Sequence, residues 1–186
     1  MIRILGKIPK NVTVACSAGV DSMAIVNFLL EGRRNVNLAY FNHDTQHSRV
    51  AQDFVEEYAD SKKLQLFIGR VQGRIGKRSL EEFWRDERYV FFNNIRSDFI
   101  ITCHHLDDVV ETWLMTSFHG EGRLIPYKRG KNIYRPFLTT RRKEIEKYAT
   151  KRDLSWIEDP SNKNTVFMRN YVRHQVMPHV LKVNPG

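Results

Sequence analysis

The chain has 186 residues, 41% of them hydrophobic and 27% charged, with a mean hydropathy of −0.48, which suits one globular domain with its own core and excludes a disordered or disulfide-built chain. Apolar runs such as residues 23–30 stay far short of the roughly 20 residues of a spanning helix, and no signal-peptide layout opens the chain, so neither a membrane protein nor an exported one is expected. The net charge is +9, and residues 122–186 hold 15 basic against 5 acidic side chains where residues 1–121 hold 15 against 16; this suggests a polyanion-docking surface or, more plainly, a basic face kept for solubility.

In chain order, residues 12–16 read as a buried strand, 23–31 as a helix and 37–42 as a second strand. Residues 46–63 place Val50, Phe54, Val55, Tyr58 and Ala59 at helical spacing, and 64–68 return to strand. Ser79 with Glu82 three positions on makes a capping-box pattern that opens a helix running to about residue 94. Residues 98–103 read as a buried strand, followed by a helix from about Leu106 to Ser117. This alternation predicts an α/β fold, a parallel sheet with helices on both faces, and ligands at the carboxyl ends of the strands. Past Phe118, glycines and Pro126 mark loops, with a short strand near 133–135 and a helix from Arg141 to about Arg152 capped by Thr140. Asp159-Pro160-Ser161-Asn162 reads as a turn and 171–183 as a final helix containing Pro178.

Two polar segments, each following a strand, carry the chemistry. Ser17-Ala18-Gly19-Val20-Asp21-Ser22 joins the first strand to the first helix. Small residues there let backbone N–H groups turn inward beside a helix N-terminus, which makes a phosphate cradle. The loop lacks the Gly-Lys-Ser/Thr of a Walker A motif, so it suits gripping pyrophosphate while chemistry proceeds at the α-phosphate. The second segment, His104-His105-Leu106-Asp107-Asp108-Val109-Val110-Glu111-Thr112, puts Asp108 and Glu111 on one helix face with His104 one turn before them. Such a group can hold Mg²⁺, bind a cationic amine or transfer protons. Acids complementing the helix dipole account for Asp107 well and Glu111 poorly, and His105 reads as a solvated side chain. Cys16 and Cys103 have no CxxC partner, so a disulfide framework or cysteine zinc site is not expected and a reducing cytoplasm is.

The first segment resembles the Ser-Gly-Gly-x-Asp-Ser loop of the PP-loop ATP pyrophosphatases, and later segments are similar to the tRNA(Ile)-lysidine synthetase family within them. Arg85-Asp86-Glu87-Arg88-Tyr89 matches that family's Arg-x-x-Arg-Tyr helix, and residues 104–112 match its His-His-x-x-Asp-x-x-Glu-Thr block. Arg135-Pro136-Phe137-Leu138 is similar to its Arg-Pro-Leu-Leu segment. Asp159-Pro160-Ser161-Asn162 and Arg169-Asn170-Tyr171-Val172-Arg173 are similar to its Asp-Pro-Ser-Asn and Arg-Asn-x-Ile-Arg signatures. The matches keep family order over about residues 12–180. Ala18 stands where the family has Gly, and residues 42–48 depart from its His-Gly-Leu-Arg segment.

The resemblance implies a Rossmann-like PP-loop domain over residues 1–186, with a nucleotide-binding core (1–121) and a basic, mostly helical, tRNA-facing part (122–186). It implies a short form without the family's C-terminal domains. It also implies a two-step reaction using ATP and Mg²⁺, with free L-lysine and tRNA(Ile) bearing the CAU anticodon as partners: the wobble cytidine is adenylated, then lysine displaces AMP. Carried over residue by residue, Ser17, Ala18, Gly19, Val20, Asp21 and Ser22 hold the phosphates, with Asp21 on Mg²⁺. Arg85 and His104 stabilise charge at the α-phosphate, Asp108 and Glu111 hold lysine's amino groups, and Arg135, Arg169 and Arg173 meet the tRNA. The oligomeric state stays open, a homodimer included. Two other readings remain at this point: a PP-loop tRNA thiolase, prompted by Cys16 and Cys103, and a catalytically silent or retargeted tRNA-binding protein.

Overall fold

β1 (Asn11–Ala15) is a run of β-branched residues, and its Val12, Thr13 and Val14 are buried, as a strand covered on both faces requires. In a computed structural model that describes residues 1–77 and 79–183, this strand lies inside a six-stranded sheet of order β3-β2-β1-β4-β6-β5. β2 (Asn35–Asn42), β3 (Leu66–Arg70), β4 (Ile100–Thr102) and β6 (Ile133–Tyr134) pair in parallel, while β5 (Lys128–Arg129) runs antiparallel to β6. α1 (Val20–Glu31), α2 (Gln46–Lys62) and α5 (Arg142–Lys151) contribute Ile25, Leu29, Val55, Ile145 and Ala149 to the core on one face. α3 (Leu80–Asn94) covers the other face with Tyr89 and Phe92 against Ala39, Ile100 and Ile133. Each fully buried Leu or Ile in these layers contributes about 1.5–3 kcal/mol.

β2 and β3 extend the sheet to one side of β1, whereas α3 crosses back and delivers β4 to the other. The strand order therefore reverses between β1 and β4, and a crevice opens at their carboxyl ends. α4 (Leu106–Ser117) leaves β4 from that edge, and its extent matches the sequence reading. No helix among the described residues is long and apolar enough to cross a membrane.

Two caps differ from expectation. Thr140 does not cap α5; its hydroxyl accepts from the Arg3 N–H at 2.8 Å and donates to the Arg3 carbonyl at 2.7 Å, tying the N-terminal segment down. The α5 N-terminus is served instead by Asp107, whose Oδ2 accepts from the Arg142 N–H at 2.7 Å. The last helix begins earlier than residue 171, as α6 (Met168–Tyr171), passes through a π turn (Val172–Val176) and continues as α7 (Met177–Val183). Pro178 cannot donate to a carbonyl one α-turn back, and the wider turn just before it absorbs that defect.

Candidate active site

The loop between β1 and α1 is built to leave N–H groups open. Ala18 is fully buried with φ +64, the left-handed conformation that glycine adopts freely and that costs alanine about 1–2 kcal/mol. Asp44 repeats the pattern: it follows His43 where the resembling segment has Gly, and its φ is +58. Both departures from the family motif thus keep a glycine-like backbone. Ser22 braces the loop from within, donating to the Gly19 carbonyl at 2.9 Å and accepting from the Ser17 N–H at 3.2 Å. The Ile157 N–H holds the Ala18 carbonyl at 2.9 Å. Gly19 is the N-cap of α1, and no side chain caps that helix. Among the described residues, no acceptor takes the N–H groups of Gly19, Val20 or Asp21, while that of Ala18 is turned to the Cys16 sulfur; this leaves an anion cradle at the positive end of α1.

Across the crevice, at the end of β4, the two histidines part company. His104 places Nδ1 3.0 Å from the Thr102 hydroxyl. Burial, first, lowers its pKa to about 3; the Arg135, Arg88 and Arg169 charges add to this against the pull of Asp108. Burial thus favours its neutral, hydrogen-bonding form. His105 is not solvated, contrary to the sequence reading; it is 2% exposed. It caps α4, its Nδ1 accepting from the Asp108 N–H at 3.3 Å while Asp108 Oδ2 accepts from the His105 N–H at 3.0 Å. Its Nε2 faces Asp21 Oδ2 at 3.7 Å. Burial opposes charging His105, but the Asp21 bond and the Asp108, Asp21 and Asp107 charges outweigh it and raise the pKa. His105 thereby links the cradle to the α4 carboxylates, a role that the reciprocal His105-x-x-Asp108 spacing could have signalled as a capping box.

The arginines assigned to tRNA turn inward. Glu111 is 1% exposed and pairs bidentately with Arg173, at 2.7 Å to Nε and 2.9 Å to Nη2, with Arg169 Nη1 at 3.4 Å. Asp108 Oδ1 lies 3.5 Å from Arg173 and 3.9 Å from Arg169. Arg169 and Arg173 thus direct their charge to the α4 acids while their side chains stay partly exposed, 32% and 19%, and Glu111 is held between them. Arg135 is buried, bonding the Pro126 carbonyl and the Tyr89 hydroxyl. Arg85 stands half-exposed on α3 beside Glu82 and Asp86, both at 3.8 Å. Its neighbour Arg88, which sequence reasoning passed over, is the α3 arginine whose charge is felt at both His104 and His43. His43 follows β2 and packs against Trp84, ring centroids 5.0 Å apart, at the same edge of the sheet.

The residues fit a phosphate-bound metal better than a protein-only cage. Asp21 Oδ1 is buried without a hydrogen-bond partner among the described residues, while no group of three or more His, Cys, Asp or Glu there is arranged to hold an ion. One carboxylate oxygen of that kind, completed by substrate phosphates and water, is how Mg²⁺ is commonly held.

Comparison with known proteins agrees with this geometry. The family model described as a PP-loop domain matches residues 4–180. The tRNA(Ile)-lysidine synthase of Persephonella marina is 33% identical over 191 residues, which cover 94% of this chain and 42% of that protein. That of Geobacter sulfurreducens is 34% identical over 194 residues, 94% of this chain and 41% of that protein; that of Nitrosomonas europaea is 32% identical over 190 residues, 94% and 42%. The chain thus spans about two fifths of the length of the curated relatives it matches. An uncapped helix after β1, an orphan carboxylate beside it and a family match over nearly the whole chain lead to one conclusion: this chain belongs to the PP-loop family.

Proposed function

We propose that this chain takes part in ATP-dependent tRNA modification, joining lysine to C2 of the wobble cytidine of tRNA(Ile) with the CAU anticodon. The observation that carries the reading is the open N-terminus of α1 facing the Asp21–His105–Asp108 line across the β1/β4 crevice. In the first step the cytosine O2 attacks the α-phosphorus of ATP and pyrophosphate leaves. In the second the lysine amine attacks C2, loses a proton, and AMP departs with the oxygen. The N–H groups of Gly19 to Asp21 bind the departing pyrophosphate, where helix dipole and backbone donors are worth most because they need no reorganisation. Asp21 would hold Mg²⁺, which when bound neutralises phosphate charge. Neutral His104 orients a phosphate oxygen or the base by hydrogen bonding. Asp108, tied by His105 and flanked by Arg173, takes the lysine ammonium.

The test uses α-labelled ATP, Mg²⁺ and lysine with an isoleucine tRNA bearing CAU and its methionine counterpart. AMP formation that needs both lysine and the isoleucine tRNA is expected, and Asp21→Asn should abolish it. A second reading, a tRNA-binding protein without turnover, is favoured by one observation: Arg173 already occupies Glu111. Under that reading the protein binds tRNA and releases no AMP with any of them.

A further inference from the structure

On the α3 side of the same edge, two guanidinium groups meet one phenol, with Arg88 next to it in sequence. Arg135 is 3% exposed; Nη1 donates to the Pro126 carbonyl at 2.7 Å and Nη2 to the Tyr89 hydroxyl at 2.9 Å, while its buried Nε has no partner among the described residues. Arg129, from β5, lays its guanidinium over the Tyr89 ring with Cζ 3.7 Å from the centroid. Arg88 follows directly on α3, and no carboxylate among the described residues comes within ion-pair distance of it or of Arg135. Glu81, the acid whose charge reaches Arg88, stays beyond that distance.

Tyr89 itself is 7% exposed. Its oxygen accepts from Arg135, and its own proton meets no acceptor among the described residues. The Tyr89 pKa is nevertheless drawn down: burial pushes it up, and the Arg135, Arg88 and Arg129 charges more than reverse that. The cluster thus carries guanidinium charge with no acid among the described residues paired to it. Elsewhere in the molecule the buried acid Glu111 is paired with Arg173, as is the general rule because an uncompensated buried charge is costly. An anion is what this cluster lacks. A tetrahedral one with several oxygens suits it best, since guanidinium forks and a hydroxyl approaching from different elements can each take a separate oxygen.

We propose that Arg129 and Tyr89, backed by buried Arg135, form a phosphoryl-binding site on the α3 side of the crevice. The group it receives is a phosphate of the nucleotide or of the RNA backbone. Only the choice between those sources rests on the function proposed above; the anion follows from the cluster itself.

The test compares wild-type protein with Arg129→Gln, an exposed position, and Tyr89→Phe, which keeps the buried ring. Lys131→Gln, on the same hairpin and outside the cluster, is the control. Two probes are used: inorganic pyrophosphate followed by phosphorus NMR, and a labelled anticodon stem-loop in a filter-binding assay at two salt concentrations. Losing one charge-assisted bond to phosphate should weaken binding about tenfold in Arg129→Gln and less in Tyr89→Phe, with Lys131→Gln unchanged. An effect on pyrophosphate assigns the site to the nucleotide. An effect on the stem-loop, with a shallower salt dependence, assigns it to RNA. Wild-type affinities in both variants for both probes, or a wild-type protein that binds neither probe, overturns the site. Loss of pyrophosphate binding in Arg129→Gln, together with no AMP from any tRNA, leaves the site standing while the lysidine reading falls.

Discussion

Arg173 closes on Glu111 through two bonds, 2.7 Å from Nε to Oε1 and 2.9 Å from Nη2 to Oε2, and so pins the last helix of the chain to α4. Burial works against the Arg173 charge, but the bond and charge of Glu111, with Asp108 and Asp21 behind it, raise its pKa further. Removing the guanidinium leaves Glu111 buried with only Arg169 at 3.4 Å. Arg173→Ala should therefore cost about 3 kcal/mol, the low end of the range for breaking one side of a buried pair. Urea unfolding measures it, with Arg173→Lys recovering part of the loss; a cost below about 1 kcal/mol would mean that the pair is solvated and that Glu111 is free for ligand.

Acid should weaken the fold well before the carboxylates titrate. His43 is lowered to about 4, by burial and then by Arg88, with Asp159 opposing, and His104 is lowered to about 3. Below the ordinary imidazole value of about 6.5 the unfolded chain binds protons that these two refuse, so stability falls as pH drops from there toward about 4. His105 has the opposite sign: its raised pKa stabilises fully below about 6.5 and is lost as pH rises through the folded value. Asp108 is lowered by His105, its backbone N–H and Arg169 despite its burial, and its contribution disappears only in stronger acid. Urea midpoints should peak near neutral pH and be lower at about pH 5 than at about pH 7. A flat profile between those two values would contradict the buried, neutral state of His43 and His104.

Asp107 serves as the cap of a helix far along the chain, through the 2.7 Å bond from the Arg142 N–H. Asp107→Ala should cost about 1 kcal/mol, whereas Asp107→Asn, which keeps an acceptor, should cost less than half of that. Equal losses in the two variants would assign the effect to charge and not to the bond.

The cysteines should be dispensable and slow to react. Cys16 Sγ lies 3.8 Å from the Ser22 hydroxyl and Cys103 Sγ 3.6 Å from the Ala15 carbonyl, and burial raises both thiol pKa values. In native protein a thiol reagent should modify them far more slowly than in urea. The Cys16→Ala, Cys103→Ala double variant should keep AMP formation within about threefold, in line with buried cysteine acting as a small apolar residue; loss of turnover in a folded double variant would bring back the thiolase reading.

The sequence was most legible where local rules act alone. The α4 bounds, the loop after β1 and the parallel alternation all follow from spacing, caps and small residues next to a strand. It was least legible where a side chain's direction depends on a partner far away. Arg169 and Arg173 are one turn apart under either reading, and only the position of Glu111 sends them inward. Arg135 looked like a surface cation until β5 and Tyr89 enclosed it. Thr140 precedes a helix as a good cap would, yet Arg3 claims its hydroxyl. His105 was misjudged because two adjacent histidines after a strand look alike in sequence, while backbone alternation sends one of them toward Asp21.

The bond from the Ile157 N–H to the Ala18 carbonyl sets an order on the assembly of the cradle. As the chain leaves the ribosome, β1, β2 and β3 can pair early, but β1 gains its second neighbour only when β4 emerges. The left-handed turn at Ala18 then waits longer still, for residue 157 to arrive and hold it. The phosphate loop is thus synthesised well before the segment whose N–H fixes its turn.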